Sequence, residues 1–361
     1  MSPPDVAVVG GGVIGLAIAW RCAQRGLRVT VHDPEPGSGA SSVAAGMLAP
    51  VTEAHFGEEP LLSLALAAAR AWPDFAAELS KTTGESLGYR TDGTLLVAYT
   101  DDDLREIQRL YRFYESLGLP AQPVTGREAR SVVPLLAPRV RGGMVANADH
   151  QVDPRRLSRA LLRAVTRAGV SVRRERVARL ADLTAGQVVL AAGCWTGQLA
   201  ELPVHPVKGQ VLRLRTPGPP EFRLTVRALA GARPVYLVPR ADGEVVVGAT
   251  MEEQGYDVSV TAGGVHQLLR AAIDVVPEVA EYRLVETSAG LRPGTPDNAP
   301  LLGVTSEPRV IAATGHNRQG ILLTPVTADA ITELLVTGQT PQLIAPFDPR
   351  RFHRVSVEVG G

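Results

Sequence analysis

Three glycines, Gly10, Gly12 and Gly15, follow the apolar run 6–9 and open an apolar stretch of helical period. At a strand-to-helix turn each position has its own task. The first glycine permits the tight turn, the second lets a pyrophosphate come against bare backbone, and the third lets the helix pack closely on the strand. The free amides and the positive end of the helix dipole then face the phosphates. Asp33 ends the next apolar run, where a carboxylate can accept from a ribose hydroxyl. Strand, helix, strand and acid together predict a bound dinucleotide, without choosing between FAD and NAD.

Other chemistry lacks its pattern. His32, His55, His150 and His205 are scattered without metal-ligand spacing, so no metal site is expected. Ser41-Ser42 has no GxSxG around it, and the mixed charges of 173–176 have no interleaved aromatics to make a nucleic-acid surface. Lys plus Arg and Asp plus Glu each number 37, so there is no net charge to draw nucleic acid or an anionic membrane, and small substrates are favoured. The two cysteines, Cys22 and Cys194, form no disulfide framework, which fits a reducing cytoplasm. No window reaches the length of an uncharged membrane span and no leader pattern opens the chain, so a soluble, untargeted protein is expected.

The elements that must position these residues alternate in style. A chain of 361 residues predicts two domains. Strand 6–9, helix 13–26 and strand 27–32 form a βαβ unit, followed by a small-residue loop at 40–50 and a helix at 61–79 interrupted or reset by Pro73. A strand at 94–99 and an amphipathic helix at 102–117 depart from that plan. Asp153-Pro154 starts a helix that ends at Gly169, and strands at 170–173 and 187–192 resume the βαβ style. Strands at 210–215, 235–239 and 244–249, with a helix at 265–276, suit a mostly antiparallel sheet. A strand at 309–313, the glycine turn 315–320 and a helix at 321–335 return to the first plan. The fold class expected is α/β: a Rossmann-type nucleotide-binding domain of 1–90, 151–204 and 287–361, and a mostly antiparallel-sheet substrate domain of 91–150 and 205–286.

Several segments go further. Ser41 to Leu48 (SSVAAGML), Val189 to Trp195 (VLAAGCW), Pro206 to Gln210 (PVKGQ), Tyr236 to Arg240 (YLVPR), Val247 to Met251 (VGATM), Ala289 to Pro293 (AGLRP) and Gly315 to Leu322 (GHNRQGIL) occur in that order. Together they resemble the D-amino acid oxidase-like family of FAD-dependent flavoproteins.

That resemblance implies a non-covalent FAD. Its pyrophosphate would lie at Gly10, Gly12 and Gly15 with Val13 and Ile14 against it, and Asp33 and Pro34 would meet the adenosine ribose. Ala40 and Ser41 would reach the phosphates, Ala45, Gly46 and Met47 the flavin ring, and Val177 the adenine. Gly193 joins this set. His316, Asn317, Arg318, Gln319, Gly320, Ile321 and Leu322 would wrap the isoalloxazine near N1 and O2, at the start of a helix whose dipole favours negative charge on the reduced ring. For the substrate, Arg292 would anchor the carboxylate through two parallel donors. Tyr236 would bond the same carboxylate or cover the pocket, Met251 and Met47 would line it, and Arg318 would meet the substrate through main chain or side chain.

The activity implied is oxidative deamination of glycine, and of sarcosine and small D-amino acids. Hydride would pass to flavin N5 from a substrate with a neutral amine, and no side chain would act as acid or base; His316 would only shape the site. Oxygen would be the acceptor, yielding hydrogen peroxide. The imine would give glyoxylate and ammonia or pass to a thiazole synthase, in support of thiamin biosynthesis. A cytoplasmic homotetramer is implied, and a D-amino acid or secondary-amine dehydrogenase or oxidase of the same fold is the alternative.

Overall fold

The computed structural model describes residues 3–229 and 234–352. Positions 1–2, 230–233 and 353–361 of the expected domain stretches lie outside them. Two sheets organise the chain, and the cleft between them holds the site.

The first sheet has six strands in the spatial order Leu301–Val304, Val310–Thr314, Gln187–Leu190, Val6–Val9, Val29–His32 and Ser171–Arg173. All neighbours run parallel except the outermost pair, Leu301–Val304 with Val310–Thr314. Val6–Val9 is buried at every residue, as an unbroken β-branched run at the centre of a parallel sheet requires. Helices Val13–Gln24, Glu59–Thr83, Pro154–Arg167 and Thr324–Thr337 pack together with this sheet in one apolar core. Asp153 caps the third of these, its side chain accepting from the amides of Arg155 and Arg156.

Pro73 does not reset its helix. Glu59–Thr83 runs unbroken through it, because Leu64, Ala68, Trp72, Phe75, Ala76 and Leu79 on either side are buried in the common core. Trp72 also donates from Nε1 to the Leu322 carbonyl at 2.7 Å. Burial of that stripe outweighs the roughly 3 kcal/mol that an interior proline costs.

The second sheet has eight strands, ordered Arg283–Gly294, His205–Arg215, Glu244–Gly248, Val235–Pro239, Thr225–Ala228, Thr94–Ala98, Gly142–Ala146 and Gln122–Thr125. Only Thr225–Ala228 with Thr94–Ala98 is parallel. Position 287, the expected division, falls inside Arg283–Gly294, which pairs with His205–Arg215 along its length. The final helix starts at Thr324 after a 3₁₀ turn, Asn317–Gln319, rather than at 321. Among the described residues no helix is long and apolar enough to cross a membrane, and no group of His, Cys, Asp or Glu could hold a metal ion.

Candidate active site

The glycine turn is built as its spacing requires. Gly10 sits at φ +112°, and a Cβ there would lie 2.6 Å from the Ala191 carbonyl carbon. A Cβ on Gly15 would overlap the Gly10 carbonyl, so this glycine sets the closeness of helix to strand. Gly12 differs from both. It is the N-cap of Val13–Gln24, has no side chain to cap the helix, and no acid stands in the first turn. The helix therefore begins with amides that lack a capping side chain from Gly12, and Ser41 Oγ at 3.2 Å takes only the amide of Val13. This cradle fits an anionic pyrophosphate.

Asp33 stands beside it. Its carboxylate accepts from the amides of Gly11 at 2.6 Å and Glu35 at 2.7 Å, tying the end of the second strand to the turn. Ala40, Ser41, Ala45, Gly46, Met47, Gly193, Val13, Ile14 and the run 316–322 all line one cleft with a cavity volume of about 320 Å³. Gly10, Gly12, Gly15, Asp33 and Pro34 stand outside that lining. Val177 is also apart, packed against the cluster that includes Val9, Leu180, Val188 and Leu190.

His316 is 4% exposed, with Nε2 3.1 Å from Thr327 Oγ1. Burial pushes its imidazole down to about 3, so the ring is neutral at working pH. Below pH about 6.5 the unfolded chain takes a proton on this residue that the folded chain refuses, and stability falls with pH by about 1.4 kcal/mol per unit. Relative to the wild type, His316→Gln therefore gains about 2.5 kcal/mol of unfolding free energy between pH 7 and pH 4.5, read by denaturant melts at both values. A difference that does not move with pH sinks this account of His316.

The second sheet walls the other end of the cleft, and two of its glycines leave it bare. A Cβ on Gly248 would lie 2.5 Å from Tyr236 Cζ, and one on Gly209 would lie 2.6 Å from Arg292 Cζ. The Tyr236 ring and the Arg292 guanidinium thus rest on backbone. Arg292 Nη1 donates to the Thr250 carbonyl at 3.3 Å and more weakly to Lys208 at 3.5 Å. Among the described residues no carboxylate pairs with it. Burial raises the Tyr236 phenol, more than nearby Arg292 lowers it, so its hydroxyl remains a donor. Met47 is half-buried in the lining, whereas Met251 is 69% exposed at the rim.

Gly209→Ala tests this floor. The guanidinium is the mobile partner, so the fold absorbs the methyl and Arg292 moves, and the steady-state KM is expected to rise about 10- to 100-fold. Unaltered steady-state kinetics would show that Arg292 acts from elsewhere.

Arg318 lines the cavity, with its guanidinium engaged by two carboxylates. Its Nε lies 3.1 Å from Glu53 Oε2 and its Nη2 3.5 Å from Glu58 Oε2. Glu53 and Arg227, joined at 2.6 Å, line the same cavity and had no signal in the sequence. Arg227 could have been found only from register, which sets it opposite Tyr236, itself opposite Gly248.

Comparison with known proteins agrees with this fold. A family model described as FAD dependent oxidoreductase matches residues 5–334. Glycine oxidase of Geobacillus kaustophilus is 36% identical over 98% of this chain and 99% of its own. Its crystal structure superposes with a TM-score of 0.91, at 35% identity, over 97% of this chain and 99% of that one. Bifunctional protein ThiO/ThiG of Trichormus variabilis is 35% identical over 97% of this chain, which spans only 55% of that longer relative.

Proposed function

The chain belongs to the FAD dependent oxidoreductase family, and from that premise we propose that it oxidises glycine, together with sarcosine and small D-amino acids such as D-alanine. Glycine, water and dioxygen give glyoxylate, ammonia and hydrogen peroxide. The observation that carries this reading is Arg292, a guanidinium with no carboxylate partner among the described residues, held over Gly209 in the cavity that Tyr236 also lines.

Arg292 binds the substrate carboxylate with charge-assisted hydrogen bonds, and Tyr236 donates to the same end. The anchored carboxylate fixes the direction of the Cα–H bond, so orientation is the main contribution of the chain. FAD, when bound, supplies the hydride acceptor that dioxygen restores. Neutral His316 is engaged with Thr327 and Glu53 with two arginines, so neither is offered as a base, and the amine reacts after losing its proton to solvent. A site that reads carboxylate and amine rejects one added methyl only weakly, which accounts for sarcosine and D-alanine.

The ThiO/ThiG relatives, which carry further chain beyond the matched part, support passage of the product to a thiazole synthase in thiamin biosynthesis. Two buried, unpaired cysteines support a cytoplasmic setting. The homotetramer follows from family resemblance, and light scattering of the holoenzyme tests it. Activity is tested by assaying glyoxylate and peroxide with glycine in air. Equal yields support an oxidase, while turnover that requires an added electron carrier supports a dehydrogenase.

A further inference from the structure

Beyond Tyr236 from Arg292, the cavity wall carries charges that the reaction does not use. Glu53 is 12% exposed, and its two oxygens are divided between Arg227 Nη2 at 2.6 Å and Arg318 Nε at 3.1 Å. Arg227 Nη1 also donates to Thr52, to its carbonyl at 2.7 Å and its hydroxyl at 3.0 Å. That hydroxyl is bound in turn by buried Asp149 at 2.5 Å, which also accepts from the Val51 and Thr52 amides. The loop carrying Glu53 is therefore pinned from behind.

Arg227, Arg318 and Arg292 all line the cavity. Arg227 lies directly opposite Tyr236 on the neighbouring strand, about 4.8 Å away in backbone spacing, so the two side chains share the cavity face. Burial alone would raise the Glu53 carboxyl, but Arg227 and Arg318 together outweigh it and hold the group low, in its charged form.

Resting on the functional reading above, we propose that Glu53 is a specificity-determining residue. Its carboxylate occupies the guanidiniums of Arg227 and Arg318, leaving Arg292 as the uncompensated guanidinium among the described residues of the cavity. A substrate with one carboxylate is accepted. A substrate whose side chain or nitrogen substituent carries a second one meets the like charge of Glu53 and finds its donors already taken. Removing the Glu53 charge frees the Arg227 guanidinium at the far wall, while Arg318 keeps its contact with Glu58 at 3.5 Å, and admits dicarboxylates.

Two matched pairs isolate the second carboxylate: sarcosine against iminodiacetate, and D-alanine against D-aspartate. In the wild-type holoenzyme kcat/KM falls about 100-fold within each pair, the scale of a buried like-charge contact. Glu53→Gln narrows both gaps at least about tenfold, and Arg227→Met added to it restores them. Wild-type gaps below about tenfold, or a FAD-loaded Glu53→Gln protein with gaps unchanged, overturn the proposal.

Should Glu53→Gln fail to fold, acetate and malonate as competitive ligands of the wild type decide. Malonate binding at least about tenfold weaker supports the proposal, and equal binding overturns it. A wild type inert to glycine, sarcosine and D-alanine would sink the functional reading instead. The acetate and malonate comparison, read from the flavin spectrum, would still decide the role of Glu53.

Discussion

Arg292→Ala raises KM for glycine, sarcosine and D-alanine by about 10³-fold while FAD stays bound. Among the described residues the guanidinium donates only to backbone carbonyls, those of Thr250 and Lys208, which leaves donors for the carboxylate of a substrate. Two charge-assisted hydrogen bonds in a partly buried cavity contribute about 4 kcal/mol, and each 1.4 kcal/mol is a factor of ten. Truncation also frees the Cα–H bond to turn, so kcat falls as well. Arg292→Lys recovers only part of the loss, because an ammonium cannot present two parallel donors. Steady-state peroxide formation gives the constants and absorbance gives the FAD content. An unchanged KM would remove Arg292 from substrate binding.

The second large effect separates holding the cofactor from holding the fold. Gly12→Asp is expected to weaken FAD binding by about 10³-fold or more, because a carboxylate at the helix N-terminus takes the amides and repels the pyrophosphate. The apoprotein is expected to be no less stable, and a few tenths of a kcal/mol more so, since Asp is a better N-cap than Gly. Gly12 has an ordinary φ of −74°, and a Cβ there meets only Ser41 Oγ at 3.2 Å, a hydroxyl that can rotate away. Equilibrium dialysis of FAD and thermal melts of the apoprotein read the two quantities independently. Loss of both together would mean that Gly12 serves packing, as Gly15 does.

What could be read from the sequence was local. The glycine turn and the first βαβ unit announce themselves within the first 33 residues, and the Asp153 cap lies beside the helix it starts. Pro73 misled because its penalty is local while the burial that overrides it comes from Trp72 and Phe75 meeting other helices. The substrate floor was only half legible. Arg292 and Tyr236 stand in recognisable segments, but Gly209 and Gly248 acquire meaning only when register sets those two side chains on them. Glu53, Arg227 and Arg318 come from a loop, a strand of the second sheet and the turn before the last helix, and no spacing in the chain links them. For the same reason the engagement of the Arg318 guanidinium by Glu53 and Glu58 could not be read from its neighbours in sequence.

The central claim is that this chain holds FAD and passes the electrons of glycine to it at the site of Arg292. The most direct measurement adds glycine to the purified yellow holoenzyme without oxygen, follows the flavin absorbance, and then admits air. The account predicts bleaching by glycine, then recovery of the absorbance with release of hydrogen peroxide. A protein that retains its FAD yet is bleached by none of glycine, sarcosine and D-alanine would contradict it.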